Sequence, residues 1–96
     1  MKTVKLKKSI ENLPFREWIT GDQEIYAYHD GSKVRIINGI CPHYFGELYL
    51  DNKQNKIVCN FHHLKFCPKN LTGNHESYKK LREYKIKSLN PIIIEF

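Results

Sequence analysis

The sequence lacks the apolar segments that would place a chain in or across a membrane. It contains no run of about eighteen or more apolar residues, the length that a transmembrane helix needs. The basic start of the chain is not followed by the short apolar stretch of a signal peptide. From these absences we expect a cytoplasmic protein without a membrane partner.

Cysteine is scarce, and its count is odd. The chain has three cysteines, Cys41, Cys59 and Cys67. In a chain without an export signal, this count argues against a disulfide framework and for thiols that stay reduced or bind a metal. We expect Cys41 and Cys59 to be ligands, and Cys67 to be a buried thiol outside the site.

Several catalytic signatures are also missing. There is no glycine-rich phosphate loop, no Ser/His/Asp arrangement and no internal repeat. No residue beside Cys41 or Cys59 suggests the third group that orients a catalytic Cys–His pair. The sequence therefore favours a protein that is not an enzyme, and its 96 residues predict one small domain, 1–96.

The charge of the chain is strongly positive, with a formal net charge of +6. Lysine and arginine concentrate in residues 2–8 and 79–87, outside the segments that hold the paired cysteines and histidines. Aromatic residues are not interleaved with them in a nucleic-acid-binding motif. We interpret them as solvated faces of a monomer that docks acidic protein surfaces and binds no specific nucleic acid.

Two short segments carry the chemistry that the composition leaves open. CPHYFGEL begins at Cys41 and CNFHHLKF begins at Cys59, which gives the pattern C-x-H-x15-C-x2-H. Two thiolates suit iron that is already bridged by sulfide, and two neutral imidazoles make a second iron easier to reduce. The candidate ligands are Cys41, His43, Cys59 and His62.

Zinc is the alternative metal for two cysteines and two histidines. Structural zinc sites are tetrahedral and usually start from C-x2-C or H-x3-H pairs, a spacing that differs from the one in this chain. The alternative hypothesis is therefore a zinc-stabilised Cys2His2 binding module with a basic surface.

The two segments resemble the Rieske family, in which cysteines hold one iron of a two-iron cluster and histidines hold the other. The resemblance covers residues 36–73 and includes Pro42 and Phe66. It implies one [2Fe-2S] cluster, with Cys41 and Cys59 on the inner iron and His43 and His62 on the outer iron. It also implies a ferredoxin that carries single electrons from a flavin reductase to an oxygenase.

The chain departs from the Rieske pattern near both histidines. A glycine that is usual in the first loop is Phe45 here, with Gly46 next, and a glycine that usually follows the second ligand is His63. His63 is therefore an alternative ligand, and His62 is preferred because it keeps the C-x2-H spacing. Respiratory relatives of high potential have a disulfide between the loops and two hydroxyl donors. The corresponding positions in this chain are Gly46, Phe61, Leu64 and Phe66.

The hydrophobic pattern predicts an all-β fold, an antiparallel β-sandwich of eight to ten short strands. The resemblance implies a cluster-binding lobe at about 39–67, inserted in a base that both chain ends form. Phe15, Trp18 and Phe66 are predicted core residues, whereas His29 and His75 are predicted to lie at the surface. The predicted strands cover 3–7, 25–28, 34–40, 47–50, 56–59, 81–88 and 92–96.

Replacing any one of the four candidate ligands by alanine should abolish the cluster, because each change removes a bond to iron. Cys67→Ala and His63→Ala should retain the cluster. Iron and acid-labile sulfide content of each purified variant measures the effect. If His63→Ala loses the cluster and His62→Ala keeps it, the ligand is His63.

Overall fold

The computed structural model of the protein describes residues 2–41, 46–61, 64–73 and 80–95. Within these ranges it has one short 3-10 turn at Ile10–Asn12 and nine strands in three antiparallel sheets, so the all-β prediction is confirmed. No helix in the described ranges is long and apolar enough to cross a membrane. The strands are β1 Thr3–Lys5, β2 Phe15–Trp18, β3 Glu24–His29, β4 Val34–Asn38, β5 Leu48–Asp51, β6 Lys56–Cys59, β7 Lys65–Phe66, β8 Lys85–Leu89 and β9 Ile92–Glu95.

The middle sheet, ordered β2-β3-β4, is covered on both faces. Successive side chains of a strand point to opposite faces, and on β3 both sets are buried. Ile25 and Ala27 enter one apolar cluster, and Tyr26 and Tyr28 enter another. The molecule therefore has three layers in which β3 belongs to two cores.

The base core lies between the middle sheet and the base sheet, which has the order β1-β9-β8. The two chain ends meet there, since Val4 pairs with Ile94. This bears out the expected base made from both ends. Its buried members are Leu6, Phe15, Ile25, Ala27, Ile36, Tyr84, Ile92 and Ile94.

The lobe core lies between the other face of the middle sheet and the lobe sheet, ordered β5-β6-β7. Two of the candidate ligands, Cys41 and Cys59, are themselves members of it. The two candidate thiols are thus part of the packed interior. The core consists of Tyr26, Tyr28, Ile37, Cys41, Leu48, Ile57, Cys59, Leu64, Phe66, Leu71 and Leu81.

The predicted hairpin between β3 and β4 is present, and Asp30 organises its turn. The Asp30 carboxylate accepts hydrogen bonds from the backbone N–H groups of Ser32 and Lys33, at 2.7 and 2.8 Å. Arg35 Nε donates to the same carboxylate at 2.6 Å. Burial alone would raise the pKa of Asp30, but these bonds hold it well below its usual range. Gly31, with φ of +99°, takes the left-handed position of the turn.

The segment before β8 differs from the prediction of one extended strand over 81–88. Regular pairing with β9 begins only at Lys85. Before that point the chain pairs with β4: Asn38 N–H donates to the Arg82 carbonyl at 2.9 Å, and Tyr84 N–H donates to the Ile36 carbonyl at 2.8 Å. The segment therefore leaves the middle sheet and enters the base sheet, which a period-two pattern does not distinguish from one strand.

Trp18 was predicted to be a core residue, and this prediction is wrong. Its exposed fraction is 58%, whereas Phe15 on the same strand is buried as predicted. The two residues are three positions apart, so they point to opposite faces of β2. Trp18 lies on the same face as Arg16 but at the last position of β2, which is an edge strand of the middle sheet.

Tyr26 and Tyr28 of β3 connect the middle sheet to the lobe through hydrogen bonds. Their rings stack with centroids 5.9 Å apart. Leu50 N–H donates to the Tyr26 hydroxyl oxygen at 2.9 Å, and the Tyr28 hydroxyl donates to the Pro68 carbonyl at 2.5 Å. The lobe is thus fixed to β3 by polar contacts inside an apolar core.

Tyr28→Phe should lower the free energy of unfolding by about 1 to 3 kcal/mol, because it leaves the buried Pro68 carbonyl without its donor. Denaturant unfolding of the purified protein measures this change. Tyr49→Phe is the matched control, since Tyr49 is partly exposed on β5. Equal stability of the Tyr28 and Tyr49 variants would contradict this role of the buried phenol.

Candidate metal centre

The first ligand loop leaves the end of β4 and returns to the start of β5. Gly39 N–H donates to the Glu24 carbonyl at 2.9 Å, so the loop begins on the middle sheet. The two sides of the loop then bond to each other: Leu48 N–H donates to the Gly39 carbonyl at 2.9 Å, and Cys41 N–H donates to the Gly46 carbonyl at 2.7 Å. Cys41 is therefore held by backbone hydrogen bonds at the neck of the loop.

The second ligand loop begins at the end of β6, at Cys59. Cys59 N–H donates to the Leu64 carbonyl at 2.9 Å and closes this loop. In the sheet, Cys59 pairs directly with Leu48 of β5. Cys59 is the last residue of β6, as predicted, whereas β4 ends at Asn38, three residues before Cys41, and does not reach the predicted residue 40.

Asn60 joins the two loops. Its side-chain oxygen accepts a hydrogen bond from Glu47 N–H at 2.8 Å, and its own N–H donates to the Glu47 carbonyl at 2.9 Å. A short amide side chain that bonds to nearby backbone is a common loop device. Asn60 was not among the predicted functional residues, although an asparagine directly after a predicted ligand is a signal of this kind.

The structure brings Cys41 and Cys59 together. Both side chains are fully buried, and the two thiols hydrogen-bond to each other. Burial raises the pKa of the Cys59 thiol, and Cys41 raises it further, although the Phe61 N–H that donates to its sulfur at 3.4 Å acts in the opposite direction. A thiolate at this depth therefore needs a cation beside it, which a bound metal ion supplies.

Gly46 leaves no room for a side chain beside the cysteines. A Cβ at this position would lie 2.6 Å from Cys59 Sγ, 2.7 Å from Phe61 Cβ and 2.8 Å from Asn60 Oδ1. Such distances are far below van der Waals contact, so the backbone of the first loop approaches the sulfur as only glycine allows. Two adjoining thiols with backbone packed against them fit the cysteine half of a metal–sulfur centre.

The histidine half of the predicted site, His43 and His62, lies outside the described residues, as do His63 and His75. Among the residues that are described, no group of three or more His, Cys, Asp or Glu side chains is arranged to hold a metal ion. His29 is exposed at the end of β3, where its Nδ1 accepts a hydrogen bond from Gly31 N–H at 3.0 Å.

Cys67 was predicted to be a buried thiol, but the structure leaves it partly exposed. It follows β7 and lies in a turn, where the Asn70 N–H group lowers the pKa of its thiol. A residue just past a strand end, in a turn, is less enclosed than its apolar neighbours. None of the three cysteines, all of which the structure describes, forms a disulfide.

Comparison with known families decides the nature of the centre. The model of the Rieske [2Fe-2S] domain matches residues 2–88 of the 96-residue chain. The chain belongs to the Rieske [2Fe-2S] domain family. None of the curated proteins matches the chain.

Family membership gives the cofactor and the general role. A Rieske domain binds a [2Fe-2S] cluster, and this Rieske protein is therefore an iron–sulfur electron carrier. The match extends well beyond residues 36–73, which carried the resemblance in the sequence, and it covers β1 of the base sheet and all three strands of the middle sheet. It gives no support to the zinc-stabilised binding module.

Gly46→Ala should prevent or strongly reduce cluster assembly in this Rieske protein, because its Cβ would overlap Cys59 Sγ. Iron and sulfide per chain, together with the visible absorption of the protein, measure the loss. Gly21→Ala is the matched control, because a Cβ at Gly21 meets no atom within 4 Å. A Gly46→Ala protein with a full complement of iron would contradict this prediction. It would show that the loops can move apart to admit the methyl group without losing the cluster.

Proposed function

We propose that residues 1–96 form one cluster-binding domain, and that this domain is a Rieske-type ferredoxin. It passes single electrons from a flavin reductase to an oxygenase-type acceptor. Cys41 and Cys59 bind the inner iron, and His43 and His62 bind the outer iron. The observation that supports this most is the contact between the two buried thiols beside the close backbone of Gly46.

The burial of the thiols determines which side of the centre a partner can approach. When bound, the cluster accepts and releases one electron. Cys41 and Cys59 have no exposed surface, and apolar residues of the lobe core surround them. Water and partner proteins are thus excluded from the cysteine side of the centre.

Phe61 supports docking beside the two cysteines. It lies two residues after Cys59, its N–H donates to the Cys59 sulfur, and its exposed fraction is 53%. An exposed aromatic ring beside a redox centre offers a partner an apolar contact at low entropic cost. The neighbouring Leu64 is buried in the lobe core.

The charge of the chain supports an acidic partner surface. With a net charge of +6, association with an acidic reductase or oxygenase is electrostatically favoured. Lys85 and Lys87 of β8 are exposed on the base sheet, so the electrostatic attraction to an acidic partner is not confined to the metal centre. The direct apolar contact with the partner is made by Phe61.

The reduction potential of the cluster tests the proposed function. Hydrogen bonds to the cluster sulfurs raise this potential. Gly46, Phe61, Leu64 and Phe66 carry no thiol or hydroxyl group, so they supply neither a disulfide nor a side-chain donor. We therefore expect the low end of the Rieske range, nearer roughly −150 than +300 mV, in a redox titration. A midpoint above about +100 mV would exclude the ferredoxin assignment.

Leu64→Ser and Leu64→Ala form a matched pair for this titration. Both variants lose the same apolar contact in the lobe core, but only serine adds a hydroxyl donor. We expect a higher midpoint for Leu64→Ser than for Leu64→Ala. A parent protein without iron and acid-labile sulfide would refute the cluster itself.

A further inference from the structure

Arg16 is a partly buried arginine in the middle sheet whose guanidinium group reaches the first ligand loop. Its Nη1 donates to Glu24 Oε1 at 2.7 Å and to the Gly39 carbonyl at 3.3 Å. Its Nη2 donates to the Leu48 carbonyl. Its Nε lies 3.5 Å from Glu47 Oε2. A single side chain of β2 therefore contacts β3 and both sides of the loop.

The two carbonyl groups that Arg16 binds belong to the neck of the loop. Gly39 lies two residues before Cys41, and Leu48 lies two residues after Gly46. Leu48 is also the direct partner of Cys59 across β5 and β6. A shift of the Gly39 carbonyl group would therefore move Cys41, which is two residues away. A shift of the Leu48 carbonyl group would move Cys59, its direct partner across the two strands.

The guanidinium group also packs against an aromatic ring and a buried carboxylate, with 24% of the Arg16 side chain exposed. It lies over the ring of Tyr26, with its central carbon 5.1 Å from the ring centroid. Glu24, its ion-pair partner, is buried with an exposed fraction of 8%. On the loop side, a Cβ on Gly39 would lie 3.0 Å from Arg16 Nη1. Arg16 therefore has one well-packed position and little freedom to leave it.

From these contacts we propose that Arg16 is a positioning residue for the cluster, which fixes the neck of the first loop and so the spacing of Cys41 and Cys59. The proposal rests on the proposed function, in which these two cysteines bind the inner iron. Arginine suits the role because its planar fork donates to two carbonyl groups at once. The single ammonium group of lysine does not reproduce that geometry.

Arg35 provides a matched control in the same sheet. It is also partly buried, and it also pairs with a buried carboxylate, Asp30, at 2.6 Å. Its second partner is Glu83 at 3.0 Å. Arg35 lies toward the hairpin turn, at the end of the middle sheet away from Gly39. Its replacement removes a comparable ion pair without touching a ligand loop.

The experiment compares Arg16→Lys and Arg16→Met with Arg35→Lys and Arg35→Met, each as the cluster-loaded full chain. The measurements are the electron paramagnetic resonance spectrum of the reduced protein, the midpoint potential and the rate of iron loss to a chelator. For Arg16→Met we expect altered g values, a shifted midpoint and about tenfold faster iron loss. Arg16→Lys should show the same signs, whereas both Arg35 variants lower the melting temperature and keep the spectrum and midpoint of the parent.

Gly39→Ala keeps the proposal testable if the Arg16 variants do not fold, because its methyl group would lie 3.0 Å from Arg16 Nη1 and crowd the guanidinium group without changing the charge. It should change the spectrum in the same direction as Arg16→Met, by a smaller amount. A parent-like spectrum, midpoint and rate of iron loss in the folded Arg16 variants or in Gly39→Ala would overturn the proposal. Equal changes in the Arg35 variants would also overturn it, since they would show a general loss of stability. A parent protein without iron and sulfide would instead refute the proposed function.

Discussion

The burial of both faces of β3 is the constraint on which the rest of the structure depends. Its alternating residues enter two separate apolar cores, one with the base sheet and one with the lobe sheet. A shift of one residue in its pairing would exchange the two sets of side chains between the cores. The register of β3 therefore fixes both the base and the lobe, and with them the ends of the strands from which the ligand loops leave.

The ligand loops gain their precision from backbone contacts and not from the ligands alone. Each loop closes on itself through main-chain hydrogen bonds, and Asn60 connects the two. The neck of the first loop is held again from β2 by Arg16. Such supporting contacts commonly determine how tightly a metal centre is held and at what potential it works.

The sequence was informative where a pattern has a local cause. Asp30 and Gly31 predicted their turn, and the segments on either side of the polar turn at 52–55 predicted β5 and β6 within one residue. The cysteine spacing indicated the centre and the family. Long-range contacts left no such signal, as the contact between Arg16 and Leu48 shows, which spans 32 positions. The chain also changes its pairing partner after Tyr84, from β4 to β9, and this change depends on which strand edge is available at that point. The exposure of Trp18 likewise depends on how far the lobe extends over β2, which no local pattern contains.

The pairing of Arg82 and Tyr84 with β4 gives the lobe a defined topology. Residues 39–81 leave the middle sheet at Asn38 and return to it at the adjacent position, where Asn38 N–H donates to the Arg82 carbonyl at 2.9 Å. In polymer terms this segment is a closed loop whose ends are held together at the middle sheet. A loop with fixed ends gains less conformational entropy on disordering than a tail with a free end. The middle sheet thereby limits how much entropy favours opening of the ligand loops.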